Sequence, residues 1–218
     1  KMNIFVTGGN GLIGKQICKN LSKNGHNVVS FDKSIKRKNI ENIIYLKGDI
    51  LNNRDLNKNL KKYKFDIFLH LAANLGVKKT ERNSFDCLSV NIEGTKNILK
   101  ACVKNKVKRF IFASSSEVYG NGQRKPISED DDLMPKSPYG ISKVAGESYV
   151  KAFNEKYGLK FNILRFFNVY GPDQRDDFVI SIFKKNILKN KPIKIFGSGN
   201  QTRSFCHVND AARAVELI

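Results

Sequence analysis

Asn3-Ile4-Phe5-Val6-Thr7-Gly8-Gly9-Asn10-Gly11-Leu12-Ile13-Gly14 is the stretch on which the architecture turns. Its first five residues are a short apolar run with β-branched and aromatic side chains, which reads as a buried strand. The glycines follow at once, and a segment with helical periodicity, residues 12–24, follows them. Gly9, Gly11 and Gly14 satisfy G-x-G-x-x-G, a pattern that means little alone. Here a strand precedes it and a helix follows it, at the first βα turn. Glycines let the backbone turn tightly and approach a pyrophosphate. The N–H groups of the helix start then face the anion, with the helix dipole behind them. Without those flanks the same residues would read as a flexible hairpin.

Working outward, strands are expected over residues 3–7, 27–31, 43–47, 65–70, 109–113 and 161–165, with helices over 12–24, 55–62, 85–105 and 137–157. Strands alternating with helices imply βαβ units, hence an α/β fold of the Rossmann type: a doubly wound parallel sheet covered on both faces. After Tyr170-Gly171-Pro172 the pattern changes to a helix over 178–189, a short strand over 193–196 and a helix over 209–218 started by Asn209 and Asp210. The expected domains are therefore 1–172, binding a dinucleotide and carrying the reaction residues, and 173–218, the start of a small substrate lobe with elements returning to the sheet. The chain stops inside an apolar-periodic helix with no cap, so the expectation is that a C-terminal portion lies beyond it. Lys1 before Met2 reads as an added residue or an internal start.

Composition narrows the class. No run approaches the ~18 apolar residues needed to cross a membrane, and no secretory signal opens the sequence. Cys18, Cys87, Cys102 and Cys206 are scattered without C-x-x-C spacing. Free thiols in a reducing cytoplasm are expected, with no metal and no membrane partner. The net charge of +19 invites a nucleic-acid reading. The lysines, however, are spread almost evenly, with clumps over 33–38 and 61–64. The expected bias is toward anionic small ligands, with no nucleic acid as partner.

The second expected strand runs into Asp32, close to the ~20 residues past the glycine loop at which an acid meets a ribose. A carboxylate there accepts hydrogen bonds from the ribose hydroxyls and repels a 2′-phosphate, favouring NAD. Lys33, Lys36 and Arg37 follow, which keeps NADP as the lesser alternative. Asp49, in Gly48-Asp49-Ile50, either accepts from the adenine amino group or is a plain turn residue. His70 ends the fourth strand and reads as a strand-end residue, not a catalyst. The small residues of Leu71-Ala72-Ala73 would let a cofactor lie against the sheet.

Tyr139-Gly140-Ile141-Ser142-Lys143 opens a helix, and a spacing of four puts the phenol and the ammonium on one face. A phenol with a pKa near ~10 is a poor base at neutral pH. A nearby ammonium is expected to stabilise the phenolate and lower that value. Tyr139 could then take a proton from a sugar hydroxyl. Y-x-x-x-K alone is common, but here it follows the fifth strand, which ends in Ser114-Ser115-Ser116-Glu117-Val118-Tyr119-Gly120. Hydroxyls at that end of a parallel strand point into the ligand crevice.

Taken together, TGGNGLIG (7–14), Asp32, HLAA (70–73), NIEGT (91–95), SSSEVYG (114–120), YGISK (139–143), RFFNVYGP (165–172) and QTRSFCHVNDAARA (201–214) occur in order over essentially the entire chain. The set resembles the extended short-chain dehydrogenase/reductases, the NAD-dependent epimerase/dehydratase family. The resemblance implies that Ser115 is the catalytic Ser/Thr, Tyr139 the base and Lys143 its partner, which also holds the nicotinamide ribose. Gly8, Gly11, Leu12, Ile13, Gly14, Asp32, Asp49, Ile50, Leu71 and Ala73 match cofactor contacts. Asn91 matches a structural residue near the site, and Asn168 and Arg203 match positions that hold a substrate diphosphate. Taken alone, Asn168 reads as a turn residue and Arg203 as a surface charge.

Members of that family share oxidation of a ring hydroxyl to a 4-keto sugar and differ in how the keto sugar is then processed. Dehydratases of the dTDP-glucose type carry Asp-Glu after the Ser/Thr, and Ser116 cannot replace that acid. The resemblance implies the commonest activity of this pattern, an NAD-dependent nucleotide-sugar 4-epimerase, and by analogy with the family a homodimer through the helices over 85–105 and 137–157. The alternatives are a UDP-glucuronate-type decarboxylase or a 4,6-dehydratase using Glu117, and, outside enzymes, an NAD-binding regulatory protein.

Overall fold

The computed structural model describes residues 1–35, 40–75, 81–121 and 126–218. Lys36 and Arg37, named above for their charge, lie outside the described residues. The strands are β1 (Asn3–Thr7), β2 (Asn27–Asp32), β3 (Ile43–Lys47), β4 (Ile67–His70), β5 (Arg109–Ser115) and β6 (Lys160–Phe166). Between them run α1 (Leu12–Lys23), α2 (Asn53–Leu60), α3 (Ser84–Lys104) and α4 (Pro138–Tyr157), with a short 3₁₀ turn at Ser116–Tyr119 after β5. The sheet is parallel throughout in the order β3-β2-β1-β4-β5-β6. Chain order reverses beside β1, between β2 and β4, which is where ligands bind in such sheets.

Local chemistry explains the helix starts. Asn52 caps α2 by accepting from the N–H groups of Arg54 and Asp55. Ser137 caps α4 by accepting from Gly140 N–H, with Pro138 at the first helical position. The strands are fixed by apolar registry. Phe5 lies opposite Phe68, which lies opposite Phe110. The first pair stacks with ring centroids 4.8 Å apart and the second at 6.0 Å. Each of these fully buried rings contributes about 2–3 kcal/mol of transfer free energy. On the opposite face Ile4, Val6, Ile17, Cys18 and Leu21 form a second cluster.

Beyond β6 come β7 (Val169–Tyr170), α5 (Val179–Leu188), β8 (Cys206–His207) and α6 (Val208–Glu216). Ala212 and Val215 of α6 join the second cluster against α1, so this helix returns to the sheet. Two expectations need correction here. Residues 193–196 are not a strand: Ile195 and Phe196 stand 64% and 60% exposed, and no strand lies beside them among the described residues to complete a ladder. The last helix begins at Val208, not Asn209, because the His207 ring caps it by accepting from Asn209 N–H at 3.3 Å. The paired β7 and β8 were not foreseen, being two residues each. The four cysteines form no disulfide, and three of them are buried. Among the described residues no helix is long and apolar enough to cross a membrane.

Candidate active site

The glycine loop opens onto a crevice at the carboxyl edge of the sheet. Gly8, with φ +70°, leaves no room for a side chain, since a Cβ would meet the backbone of Ala72. At Gly14 a Cβ would strike Gly8 and Gly9, so only glycine lets α1 start this close to the loop. Gly11 is the N-cap of α1 and supplies no side-chain cap, and the first turn holds no acidic residue. The amide groups there are left to an anionic guest, which is the fit a pyrophosphate requires.

Of the expected cofactor residues, Gly8, Gly11, Asp32, Ile50, Leu71 and Ala73 line this crevice. Leu12, Ile13 and Gly14 sit at the start of α1, and Asp49 lies in sequence between the lining residues Gly48 and Ile50. Asp32 is built into the loop: one carboxylate oxygen accepts from Asn10 N–H at 3.1 Å and the other from Ser34 N–H at 3.1 Å. Asp49 pairs with Lys33 at 3.1 Å, so the lysine that argued for NADP is held by a neighbouring acid. Phe31, Gly48, Asn74, Leu75 and Val90 also line the crevice and were not foreseen. They belong to different elements, and no short motif joins them.

The candidate reaction residues meet at the end of β5. Ser115 Oγ accepts from Glu117 N–H at 3.2 Å, starting the 3₁₀ turn, and is hydrogen-bonded to the Tyr139 phenol. Lys143, almost fully buried, donates from Nζ to Ala113 O at 2.7 Å. Its Nζ lies 5.6 Å from the Tyr139 ring centre. Burial pushes the Lys143 ammonium down to about 8. The expected lowering of the phenol is not seen. Burial pushes Tyr139 up, and the Glu117 carboxylate and Cys87 add to this, against the hydrogen bond from Ser115. The ammonium is engaged with a carbonyl instead of the phenol oxygen. Glu117 Oε2 accepts from Ser137 Oγ at 3.4 Å, at the cap of α4.

A buried relay joins the loop to this helix. Ala72 N–H donates to Thr7 Oγ1 at 3.3 Å. Thr7 Oγ1 lies 2.7 Å from His70 Nδ1, and His70 Nε2 lies 3.1 Å from Thr95 Oγ1. Thr95 donates its proton to Asn91 O at 2.7 Å, so it accepts from His70, and Thr7 donates to His70. The ring is therefore the neutral Nε2–H form. Burial, helped by the Lys143 charge, pushes it down to about 3. Asn91 then binds the Asn74 backbone through both ends of its amide, at 2.7 and 3.0 Å, and donates to Ser142 Oγ at 2.9 Å. Ser142 in turn donates to Tyr139 O at 2.7 Å. Thr7, His70, Thr95 and Ser142 were not read from the sequence as one group.

Asn168 and Arg203 lie apart from this centre. Asn168, at φ +31°, donates to Ser204 O at 2.8 Å, which brings the segment bearing Arg203 alongside it. Arg203 itself is exposed and folds back onto Thr202 O at 2.8 Å.

Comparison with known proteins agrees with this geometry. The family model described as the NAD dependent epimerase/dehydratase family matches residues 4–218. The uncharacterized UDP-glucose epimerase YtcB of Bacillus subtilis is 37% identical over 100% of this chain and 72% of its own length. A UDP-N-acetyl-alpha-D-glucosaminuronate decarboxylase of Bacillus cytotoxicus is 37% identical over 98% of this chain and 70% of its own. The structure of the Thermotoga maritima UDP-glucose 4-epimerase with UDP-glucose superposes with a TM-score of 0.94 at 34% identity, covering 99% of this chain and 72% of that one.

Proposed function

Because the chain belongs to the NAD-dependent epimerase/dehydratase family, we propose that this enzyme is a UDP-sugar 4-epimerase working through a transient 4-keto sugar. The observation that carries this reading is the convergence of Ser115, Tyr139 and Lys143 at the carboxyl end of β5, on the same edge of the sheet as the crevice at the uncapped start of α1. NAD, when bound, supplies the acceptor for hydride from the sugar carbinol and returns it to the other face. Residues 1–172 form the part that binds it, and 173–218 contribute to the sugar side. Gly8, Gly11, Leu12, Ile13 and Gly14 receive the pyrophosphate, and Asp32 receives the ribose hydroxyls. Asp49, Ile50, Leu71 and Ala73 surround the adenine half and the sheet-facing side.

Tyr139 takes the proton from the sugar hydroxyl and gives it back. Ser115 hydrogen-bonds the same oxygen and thereby orients it. Lys143 is the cation that stabilises the phenolate once the phenol loses its proton, and it holds the nicotinamide ribose. Burial loosens its own proton. Asn168 and Arg203 hold the substrate diphosphate, where a guanidinium donates two parallel hydrogen bonds. A homodimer is placed on the outer side of α3 and α4, where Phe85 and Ile141 leave apolar side chains in solvent. The proposed setting is cytoplasmic.

A decarboxylase is the second reading, favoured by Glu117 beside the Tyr139 site and by the decarboxylase relative. Incubation with UDP-, GDP- and dTDP-sugars, with products read by mass spectrometry and NMR, separates the cases. Unchanged mass with inverted stereochemistry at C4 supports the epimerase. Loss of CO2 or of water replaces it with decarboxylase or dehydratase. Tyr139→Phe is expected to lower kcat about 10²–10⁴-fold while NAD binding stays near wild type. Near-normal turnover in that variant removes Tyr139 as the base.

A further inference from the structure

Behind the reaction residues lies a charged group that the proposed chemistry does not use. Glu147 is one helical turn beyond Lys143, on the same face of α4, and is 1% exposed. Its carboxylate accepts from Ser114 Oγ at 2.5 Å and from Arg165 Nε and Nη2 at 3.0 and 2.8 Å. Arg165, on β6, spends its remaining nitrogen on Tyr119 Oη and Glu129 O, each at 2.7 Å. Its guanidinium also lies over the Tyr119 ring, 4.9 Å from the centre. This pair, with its carboxylate buried and its guanidinium only partly so, ties together α4, the end of β5, β6, the 3₁₀ turn carrying Glu117 and the segment at Glu129.

A buried ion pair is a costly way to hold elements together, since an apolar pair of similar volume is often as stable or more so. Its placement argues for a second role. Ser114, which Glu147 grips, stands between Ala113, whose carbonyl receives the Lys143 ammonium, and Ser115, which bonds the phenol. We propose that Glu147, clamped by Arg165, is a positioning residue for Lys143: it supplies the buried negative charge behind the ammonium and fixes the strand end to which that ammonium is bound. This rests on the reading of Tyr139 and Lys143 as the reaction pair.

The groups facing Lys143 are Cys87 from α3, His70 from β4, the Phe112 ring from β5, and Tyr139 and Glu147 from its own helix. His70 is neutral, and burial draws the proton off Lys143. Cys87 and, after it, Glu147 oppose that loss. Removing the carboxylate lowers the lysine further, and an unpaired Arg165 acts in the same direction. The alkaline limb of kcat, where Lys143 loses its proton, therefore moves toward acid.

The test is the kcat–pH profile of the NAD-loaded enzyme with a UDP-sugar that the wild type turns over. Glu147→Gln is expected to shift the alkaline limb down by about one pH unit and to lower kcat at its optimum about tenfold. KM for the sugar should change less than about twofold. Glu147→Asp, which keeps the charge, restores the limb. The double variant Glu147→Leu with Arg165→Met removes both charges while packing the site, and shows a smaller displacement in the same direction even where Glu147→Gln fails to fold. A wild-type profile in either Glu147→Gln or the double variant overturns the proposal and leaves the pair as packing alone. Tyr139→Phe run alongside separates the two failures. An active Tyr139→Phe removes the reaction pair itself, whereas an inactive one with an unshifted Glu147→Gln removes the role of Glu147 only.

Discussion

Two buried polar networks flank the Tyr139–Lys143 pair, and they are built on opposite principles. The relay from Thr7 through His70 and Thr95 to Asn91 carries no charge, each hydroxyl both accepting and donating. The Glu147–Arg165 clamp is an ion pair with its hydrogen bonds filled by Ser114, Tyr119 and Glu129. The neutral relay ties the cofactor loop to the helix bearing Tyr139 without adding any field at the phenol. The clamp places a fixed negative charge near the lysine. Loss of a partner should be tolerated very differently: a neutral network loses one hydrogen bond, whereas a charged one strands an ion in a low dielectric.

Arg165→Met breaks that contrast at its strongest point. It leaves the Glu147 carboxylate buried with Ser114 as its remaining partner, and a loss of about 3–5 kcal/mol is expected in thermal or urea unfolding. A loss below about 1 kcal/mol would show the clamp to be as forgiving as the relay. His70 sharpens the comparison through pH. Its folded value is about 3, below the ~6.5 of an unfolded chain. Between those values the unfolded state binds a proton that the folded state refuses. Stability is then complete above about pH 6.5 and falls as pH drops, by about 2 kcal/mol at about pH 5. His70→Gln should flatten this slope in urea melts across the same range, and an unchanged slope would place the titration elsewhere. Thr95→Val is the mildest perturbation. It leaves His70 Nε2–H without its acceptor and frees Asn91 O, at an expected cost of about 1–2 kcal/mol. A cost equal to that of Arg165→Met would erase the distinction between the networks.

The helices α4 and α5 show how far sequence pattern carries. The first has a clear start, Ser137 and Pro138, and the second has apolar periodicity without a capping side chain; yet α4 buries Gly140, Ser142, Lys143, Gly146, Glu147 and Val150, while α5 buries nothing among the described residues. Periodicity shows that a helix has an apolar face; it does not say what covers that face. The same gap explains residues 193–196, which have the composition of a strand but no strand to pair with among the described residues. The protonation of Tyr139 departs from the sequence reading for a related reason. A spacing of four puts the ammonium on the right face, but burial and the Ala113 carbonyl decide where it points and how the phenol titrates.

The role of Ser115 came from the family resemblance; strand and helix order, the glycine loop, the place of Asp32 and the spacing of Tyr139 and Lys143 were legible in the amino-acid order alone. Each depends on chemistry within a few residues: alternation along a strand, a cap, a tight turn, a shared helical face. The pairings of His70 with Thr7, 63 residues apart, and of Asn91 with Ser142, 51 apart, belong to the tertiary structure. So do Ser114 with Glu147, 33 apart, and Arg165 with Glu147. They exist because the sheet sets β1 beside β4 and β5 beside β6 and lays α3 against α4, and no local pattern encodes which distant side chains then share a dry interior.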